Sequence, residues 1–447
     1  MSRHADNICI LLSRGPMSAA KLLENLGISQ STMSRALTDL GNGIVRFGAA
    51  RSIHYTLRDN TPRLPDIPIY RINAEGHIRQ LGTLIPVRPE GFVMRQENGI
   101  SLHSDGLPWW LFDMRPQGYL GRAYVARHAA ELGLPDQLNE WTDTQALRAL
   151  LEHGHDIIGN IILGDKARNR FLDTPVPNPI SFDQKAEEYA RLALEAARGD
   201  SPGSSAGGEQ PKFTAYVVTQ EGAHHVIVKF SEQEEGPVSE RWRDLLLAEH
   251  LALETLREVG IPAAKTQVID FGGQRFLESE RFDRIGFFGR SALHSLSALD
   301  AEFVGLGTGG WPVIARHLAD GGHIDPEAAD SASTLWAFGT LIGNSDMHNG
   351  NLSFISEQGR PYSIAPAYDM TPMGFAPRSG GGLTDTLSEA TIHGYISNTT
   401  WHLAGILARN FLARLKEASG FSKRFEPCVT ALENRIQTAS TKIERLE

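Results

Sequence analysis

The sequence predicts an α+β protein: an N-terminal winged helix-turn-helix, then a two-lobed body with a strand-rich first lobe and a helical second lobe. Three observations predict it. The first sixty residues hold capped helices joined at a glycine, followed by an alternating hairpin. Residues 213–282 read as short apolar strands interrupted by one long helix, and residues beyond 284 read as mostly helical. At 447 residues the chain exceeds what one hydrophobic core usually serves, so several units are expected. Their boundaries are placed at 1–62, 63–170, 171–283 and 284–447.

Composition narrows the class. With 41 % hydrophobic and 21 % charged residues, the chain has a soluble globular profile. Cys9 and Cys428 stand at opposite ends, which fits neither a disulfide framework nor a cysteine zinc site, and suits a reducing cytoplasm. No apolar run reaches the length of a transmembrane helix, so no membrane partner is expected. The start is not a signal peptide, because Asp6 precedes the short run 8–12 and Ser13-Arg14 ends it. Net charge is −10, unevenly placed: residues 1–60 hold seven Lys/Arg against four Asp/Glu, a net +3 that leaves −13 for the rest. A basic head on an acidic body suggests that only the head meets nucleic acid.

The head reads in order. A short helix is expected over 6–15. Ser18 caps a second over 19–26, with Leu22, Leu23 and Leu26 inward, and Gly27 supplies a tight turn. Ser29 caps a third, in which Met33, Leu37 and Leu40 recur at helical spacing until Gly41. Gln30, Ser31, Thr32, Ser34 and Arg35 project from its open face, and these residue types reach base edges and phosphates when such a helix enters a major groove. Segments 44–47 and 52–57 alternate as a hairpin wing, placing Arg46 and Arg51 to touch the phosphate backbone. The competing reading is a small helical protein-interaction domain; turn, caps, wing and charge agree on DNA.

Residues 65–170 mix short strands (69–72, 92–94) with helices (124–132, 144–152), and Trp109-Trp110-Leu-Phe reads as core packing. No chemistry is expected there. Pro175, Pro177 and Pro179 form a linker, and Ser181 with Gln184 reads as a capping box opening a helix that ends at Gly199.

A glycine- and serine-rich stretch follows, 200–213, with Ser204-Ser205-Ala206-Gly207-Gly208 at its centre. Such a loop offers backbone N–H groups to phosphate oxygens with little bulk, though it also reads as a linker. Segments 213–218 and 226–230 form the next strand pair. Lys229 sits in an otherwise apolar strand, where it either meets nucleotide phosphates or snorkels to a strand end. Glu249 lies on a helix expected over 242–259. Strand lysine plus helix glutamate is the ion pair that positions α- and β-phosphates in kinases; a solvent-facing glutamate is the alternative. Strands at 266–270 and 274–282 lead into the helical half, the crossing that binds adenine in a kinase.

The helical half holds the sharpest motif, Gly343-Asn-Ser-Asp-Met-His-Asn-Gly-Asn351, followed by Tyr368-Asp-Met370. Asp346, Asn351 and Asp369 reproduce the spacing of a phosphoryl-transfer site: a carboxylate for the attacking hydroxyl, then two oxygen ligands for Mg²⁺ against ATP. Further helices are expected over 335–342, 402–418 and 427–446. The last carries an apolar stripe (Val429, Leu432, Ile436, Ala439, Ile443) that either docks on the body or pairs a homodimer.

Taken together, Ser204-Ser-Ala-Gly-Gly, Val226-Ile-Val-Lys229, Glu249, Glu280-Arg-Phe-Asp-Arg284, the 344–351 segment and Tyr368-Asp-Met370 resemble the HipA family of bacterial Ser/Thr protein kinases, over residues 65–447. Gly118-Tyr-Leu-Gly-Arg122 and Gly159-Asn-Ile-Ile resemble the family's N-terminal region. With its fused head, the chain is similar to a stand-alone member. The resemblance implies Asp346 as catalytic base, Asn351 and Asp369 on Mg²⁺, Lys229 on ATP phosphates and Glu249 holding Lys229. It implies adenine bound through the backbone of Glu280 and Phe282, and an autophosphorylated loop serine, Ser204 or Ser205. His348 falls in the family's Asp-x-His pattern and is expected to tether the catalytic loop. Family members act as growth-arresting toxins beside a separate DNA-binding antitoxin, so a HipB-like partner is open here, as is the identity of the protein substrate. Two other readings compete: a DNA-binding regulator whose kinase-like half senses nucleotide without catalysis, and a small-molecule kinase.

Overall fold

The computed structural model describes residues 2–49, 52–60, 64–198, 210–356, 359–378 and 380–446. Arg51 and the loop residues Ser204, Ser205, Ala206, Gly207 and Gly208 lie outside the described residues.

Three helices open the chain: Arg3–Leu12, Ala19–Leu26 and Gln30–Leu40. Each starts at a serine whose hydroxyl accepts a backbone N–H (Ser2, Ser18, Ser29), which satisfies a donor the helix cannot. Ser2 explains why the first helix begins at Arg3, ahead of the expected residue 6. Gly27 takes φ 59° between the second and third helices, a left-handed turn that glycine makes without strain. Ala5, Ile8, Leu12, Leu22, Met33 and Ala36 close a small core. The hairpin Ile44–Phe47 with His54–Arg58 follows.

That hairpin is not a free appendage. His54–Arg58 also pairs with the strand Ile78–Arg88, with Leu57 opposite Arg88, and Thr56 Oγ1 donates to Arg88 O at 3.0 Å. Val45 of the head packs with Ile85, Val87 and Val93. The head and the following unit therefore share one sheet. The strand Ile78–Arg88 was not expected from the sequence. Its 84–87 run is buried on both faces, Leu84 toward the middle core and Ile85 and Val87 toward the head, so it lacks a period of two. The middle unit is completed by the strands Ile67–Ile72, Phe92–Gln96, Ser101–Ser104 and Ile161–Leu163, and by the helices Gly118–Leu132, Asp143–His153 and Gly164–Asp173.

Next comes a four-stranded antiparallel sheet in the order Thr266–Phe271, Gln274–Glu280, Gly222–Phe230, Lys212–Thr219. The helix Lys185–Ala197 covers it through Tyr189, Ala193 and Ala196. Ser181 and Gln184 do meet, Oγ to Oε1 at 2.9 Å, but in the turn before this helix and not as a capping box; Gln184 caps without a side-chain bond. The helix Pro237–Glu258 starts five residues ahead of expectation because Pro237 occupies the first turn, where a missing N–H costs nothing.

The second lobe is built on the helices Leu296–Phe303, Gly310–Asp320, Pro326–Ile342, Asn398–Glu417 and Glu426–Ile443. It also carries a three-stranded sheet, Ala292–Ser295, Ser353–Ser356 and Ser363–Ile364. Leu432, Ile436, Ala439 and Ile443 are buried in the same core as Trp401 and Phe411, so the C-terminal stripe docks on the body. Among the described residues, no helix is long and apolar enough to cross a membrane.

Candidate active site

A cavity of about 380 Å³ lies where the four-stranded sheet meets the helical lobe. Lys229 enters it from Gly222–Phe230, between buried Val228 and Phe230. Its ammonium donates to Glu249 Oε1 at 2.6 Å and Oε2 at 2.8 Å, and it also meets Asp369 Oδ1. Glu249 is only 2 % exposed, and its Oε2 also accepts from Thr371 Oγ1 at 2.9 Å. Burial pulls the Lys229 ammonium down, but the Asp369 and Glu249 carboxylates outweigh it and hold the group above its ordinary value. For Asp369, burial pushes up, and Lys229 and then Lys212 more than offset it, so the carboxyl sits below its ordinary value.

The acidic half of the site is fixed by its own backbone. Asp369 has φ 52°, the one non-glycine residue with positive φ among those described. Left-handed backbone at such a residue costs on the order of 1 kcal/mol and must be held by its surroundings. Asn344 is one holder: its Nδ2 donates to Asp369 O at 3.2 Å, and its Oδ1 accepts from Asp346 N at 3.1 Å. Asn351 Nδ2 donates to Asp346 O at 2.8 Å, closing the loop between the two motif residues and leaving Oδ1 as an acceptor. His348 Nδ1 accepts from Gly350 N at 3.0 Å, which places the proton of a neutral ring on Nε2, and Trp311 Nε1 donates to His348 O at 3.1 Å. Tyr368 donates to Gly350 O at 3.0 Å and receives Ser353 Oγ at 2.7 Å. Its ring lies 5.8 Å from that of Phe282.

Of the residues singled out in the sequence, Lys229, Glu249, Glu280, Phe282, His348, Asn351 and Asp369 all line this cavity. Asp346 is exposed and lies outside the lining, tied to it through Asn344 and Asn351. Gln30, Ser31, Arg35 and Arg46 are exposed on the head, and the hydroxyls of Ser31 and Thr32 each meet Ser29 Oγ at 2.9 Å at the helix cap.

The HipA-like C-terminal domain matches residues 204–439, and the YjjJ-like toxin middle domain matches residues 64–172. The chain is 38 % identical to Toxin YjjJ of Escherichia coli (strain K12) over 439 residues, 98 % of each protein. The chain belongs to the HipA-like family. Among solved structures, it is similar to the Shewanella oneidensis MR-1 toxin–antitoxin complex of HipA, HipB and operator DNA, at 16 % identity and TM-score 0.48, covering 84 % of this chain and 97 % of that one. It is also similar to the Helicobacter pylori proinflammatory kinase CtkA, at 14 % identity and TM-score 0.39, covering 53 % of this chain and 93 % of that one.

Several site residues of this HipA-like chain escaped sequence reasoning. Lys212 is buried, stands opposite Lys229 in the sheet register and lines the cavity. A second lysine at an apolar strand's start was the available signal. Asn344, inside the motif but given no role there, and Thr371, just past Met370, act on the site through hydrogen bonds that no spacing encodes. Phe112, Asp113, Gln117 and Ile158 reach the same cavity from the middle unit, where no chemistry was expected. The Trp109–Met114 turn is thus cavity wall as well as packing.

Proposed function

We propose that this HipA-like chain is a Mg²⁺-ATP-dependent serine/threonine protein kinase of the toxin type, carrying a winged helix-turn-helix that binds DNA. The observation that carries the reading is Lys229, buried against Glu249 and Asp369 in a cavity that also presents Asn351. A buried lysine shared by a helix glutamate and a left-handed aspartate suits the positioning of nucleotide phosphates.

The donor set fits Mg²⁺, a hard cation that takes carboxylate and amide oxygens and completes its shell with phosphates and water. Asp369 and Asn351 Oδ1 would hold it, and Mg²⁺ when bound neutralises charge on the transferred phosphoryl group. Lys229 and Lys212 would meet the phosphates, Lys229 being held in place by Glu249. Glu280 N already donates to Lys265 O at 2.9 Å, so adenine recognition at Glu280 falls to its carbonyl oxygen. Asp346, on a loop braced by Asn344 and Asn351, takes the proton of the attacking hydroxyl. Positioning and electrostatics then do most of the catalysis. The loop serine, Ser204 or Ser205, is an autophosphorylation site in this reading. The exposed Gln30, Ser31 and Arg35 read base edges, with Arg46 on the phosphate backbone. Growth arrest follows from phosphorylating a cellular protein, and a HipB-like antitoxin is the partner to seek.

Intact mass before and after Mg²⁺-ATP tests this, beside Asp346→Asn. A gain of about 80 Da per phosphate in wild type alone supports the kinase. No gain in either, with nucleotide still bound, favours the second reading, a DNA-binding regulator that senses nucleotide. One observation favours that alternative: the head shares a sheet with the middle unit, whose residues line the cavity.

A further inference from the structure

The middle unit touches both sides of the cavity, and the two contacts differ in kind. On the side of the strand Gln274–Glu280 it is bolted by charge. Arg284 Nη2 donates to Asp156 Oδ1 at 2.9 Å and to Ile157 O at 2.5 Å, and Arg290 Nη2 donates to His155 O at 2.6 Å. Gly159 N donates to Asp283 Oδ2 at 3.1 Å, and Asp283 is itself held by Arg281 and Arg284. This many short, charge-assisted bonds in a buried cluster make a fixed joint.

On the side of the helical lobe the contact is small. Asp113 Oδ2 accepts from Ser295 N at 2.7 Å, and Oδ1 accepts from Ser295 Oγ at 2.6 Å. Ser295 caps Leu296–Phe303, its Oγ also accepting from Ala298 N at 3.1 Å. The Trp109 ring lies against His294 at 4.8 Å and Phe303 at 5.2 Å. Among the described residues, the Asp113 carboxylate and the Trp109 indole carry the hydrogen bonds and ring contacts of this edge. Burial pushes the Asp113 carboxyl up, and the two Ser295 bonds only partly offset it, so the group is costly to keep in place. Between the two joints, Phe112, Asp113, Gln117 and Ile158 form a wall of the cavity.

We propose that Asp113 is a positioning residue whose bonds to Ser295 latch the middle unit shut over the nucleotide cavity, with the arginine cluster as the fixed side, so that nucleotide enters and leaves by parting this latch. The proposal rests on the nucleotide-binding reading of the cavity. It assigns the middle unit a task in the site: it sets how fast nucleotide enters and leaves, with little effect on how tightly it is held.

The test is stopped-flow binding of a fluorescent N-methylanthraniloyl-ATP to the full chain with Mg²⁺, for wild type, Asp113→Ala and the milder Asp113→Asn. A gate predicts that association and dissociation rates rise together, by fivefold or more in Asp113→Ala and less in Asp113→Asn, while their ratio changes little. A rise in dissociation alone would make Asp113 a simple ligand contact and overturn the latch. Equal rates in all three proteins would overturn it as well. Hydrogen exchange without nucleotide judges the latch separately from the nucleotide reading. Peptides covering 107–118 and 292–299 should exchange faster in Asp113→Ala, with 155–159 and 283–290 unchanged. Unchanged exchange at 107–118 sinks the latch; binding of the probe by none of the proteins, with exchange altered as expected, sinks the nucleotide reading instead.

Discussion

Removal of the Lys229 ammonium gives the most direct view of the site's energetics. In Lys229→Met, Glu249 and Asp369 stay in place and lose their shared cation. At 2.6–2.8 Å and an effective dielectric of about 20, the gross attraction of the Lys229–Glu249 pair is about 6 kcal/mol. Desolvation of both partners offsets much of that, but removing one partner leaves the desolvated carboxylates behind, and such losses run to about 3–5 kcal/mol. Glu249→Gln keeps an acceptor for Lys229 and Thr371 and should cost less, about 1–3 kcal/mol. The double variant should recover about 2 kcal/mol relative to the sum, because the second change removes a group the first left unpaired. Urea unfolding of the full chain reads these values. Lys185→Met is the control: Lys185 is equally buried and donates to Glu278 at 2.9 Å, but lies outside the cavity lining, so it should cost comparable stability and leave phosphoryl transfer intact. A Lys229→Met protein within 0.5 kcal/mol of wild type (roughly the scatter of a neutral surface change), or purely additive losses, would refute the buried triad.

Other outcomes follow from the same geometry. Asp346→Asn should abolish phosphate gain by intact mass and leave nucleotide affinity within about threefold, since Asp346 is exposed and outside the cavity lining. Arg46→Ala should weaken duplex DNA binding uniformly across sequences and lower the salt slope of log K by about one; an unchanged slope removes Arg46 from the interface. His225 and His294 are each held down to about 4 from an ordinary 6.5, by burial first, with Arg71 beside His294 adding to it. The unfolded chain therefore binds more protons below pH 6.5, so stability is lost as pH falls from about 6.5 toward 4, by up to about 3 kcal/mol per histidine. The urea midpoint against pH should show that slope, and His294→Gln should flatten it.

Local rules made much of this molecule legible. Serine caps and Gly27 mark the head helices because each satisfies a backbone need within a few residues. Spacing singled out Asp346, Asn351 and Asp369, and the fold does bring them together: Asn351 and Asp369 line the cavity, and Asp346 is tied to it through Asn344 and Asn351. Lys229 was conspicuous because an ammonium in an apolar strand is costly without a partner. What stayed hidden depends on contacts far apart in sequence. The Asp113–Ser295 pair spans 182 positions, and the Arg284–Asp156 pair spans 128. The Ile78–Arg88 strand was missed because a run buried on both faces has no alternation. Ser181 and Gln184 fit the capping-box spacing, yet they close a turn ahead of the helix, which shows that spacing alone does not fix where a helix begins.

The helix Pro237–Glu258 shows how the site is held to the rest of the body. Its buried charged residues Arg241, Asp244 and Glu249 lie within nine residues, a rise of about 12 Å along the helix. Glu249 receives Lys229 and Thr371. Arg241 donates to Phe375 O at 3.0 Å, Thr384 O at 2.8 Å and Asp385 Oδ1 at 2.6 Å, so it grips the segment that follows Asp369. Asp244 accepts from Ser422 N at 2.8 Å and Oγ at 2.6 Å, between the last two long helices. Apolar side chains of similar volume would stabilise the same interfaces as well or better. Charged ones add direction: each accepts or donates along a fixed line, and a displaced partner leaves a buried ion unmatched. A small shift of this helix would therefore misplace Lys229, the segment after Asp369 and the C-terminal layer at once. The Lys229 end of the cavity and the residues Phe375, Thr384 and Asp385 are, on this geometry, set by one rigid element.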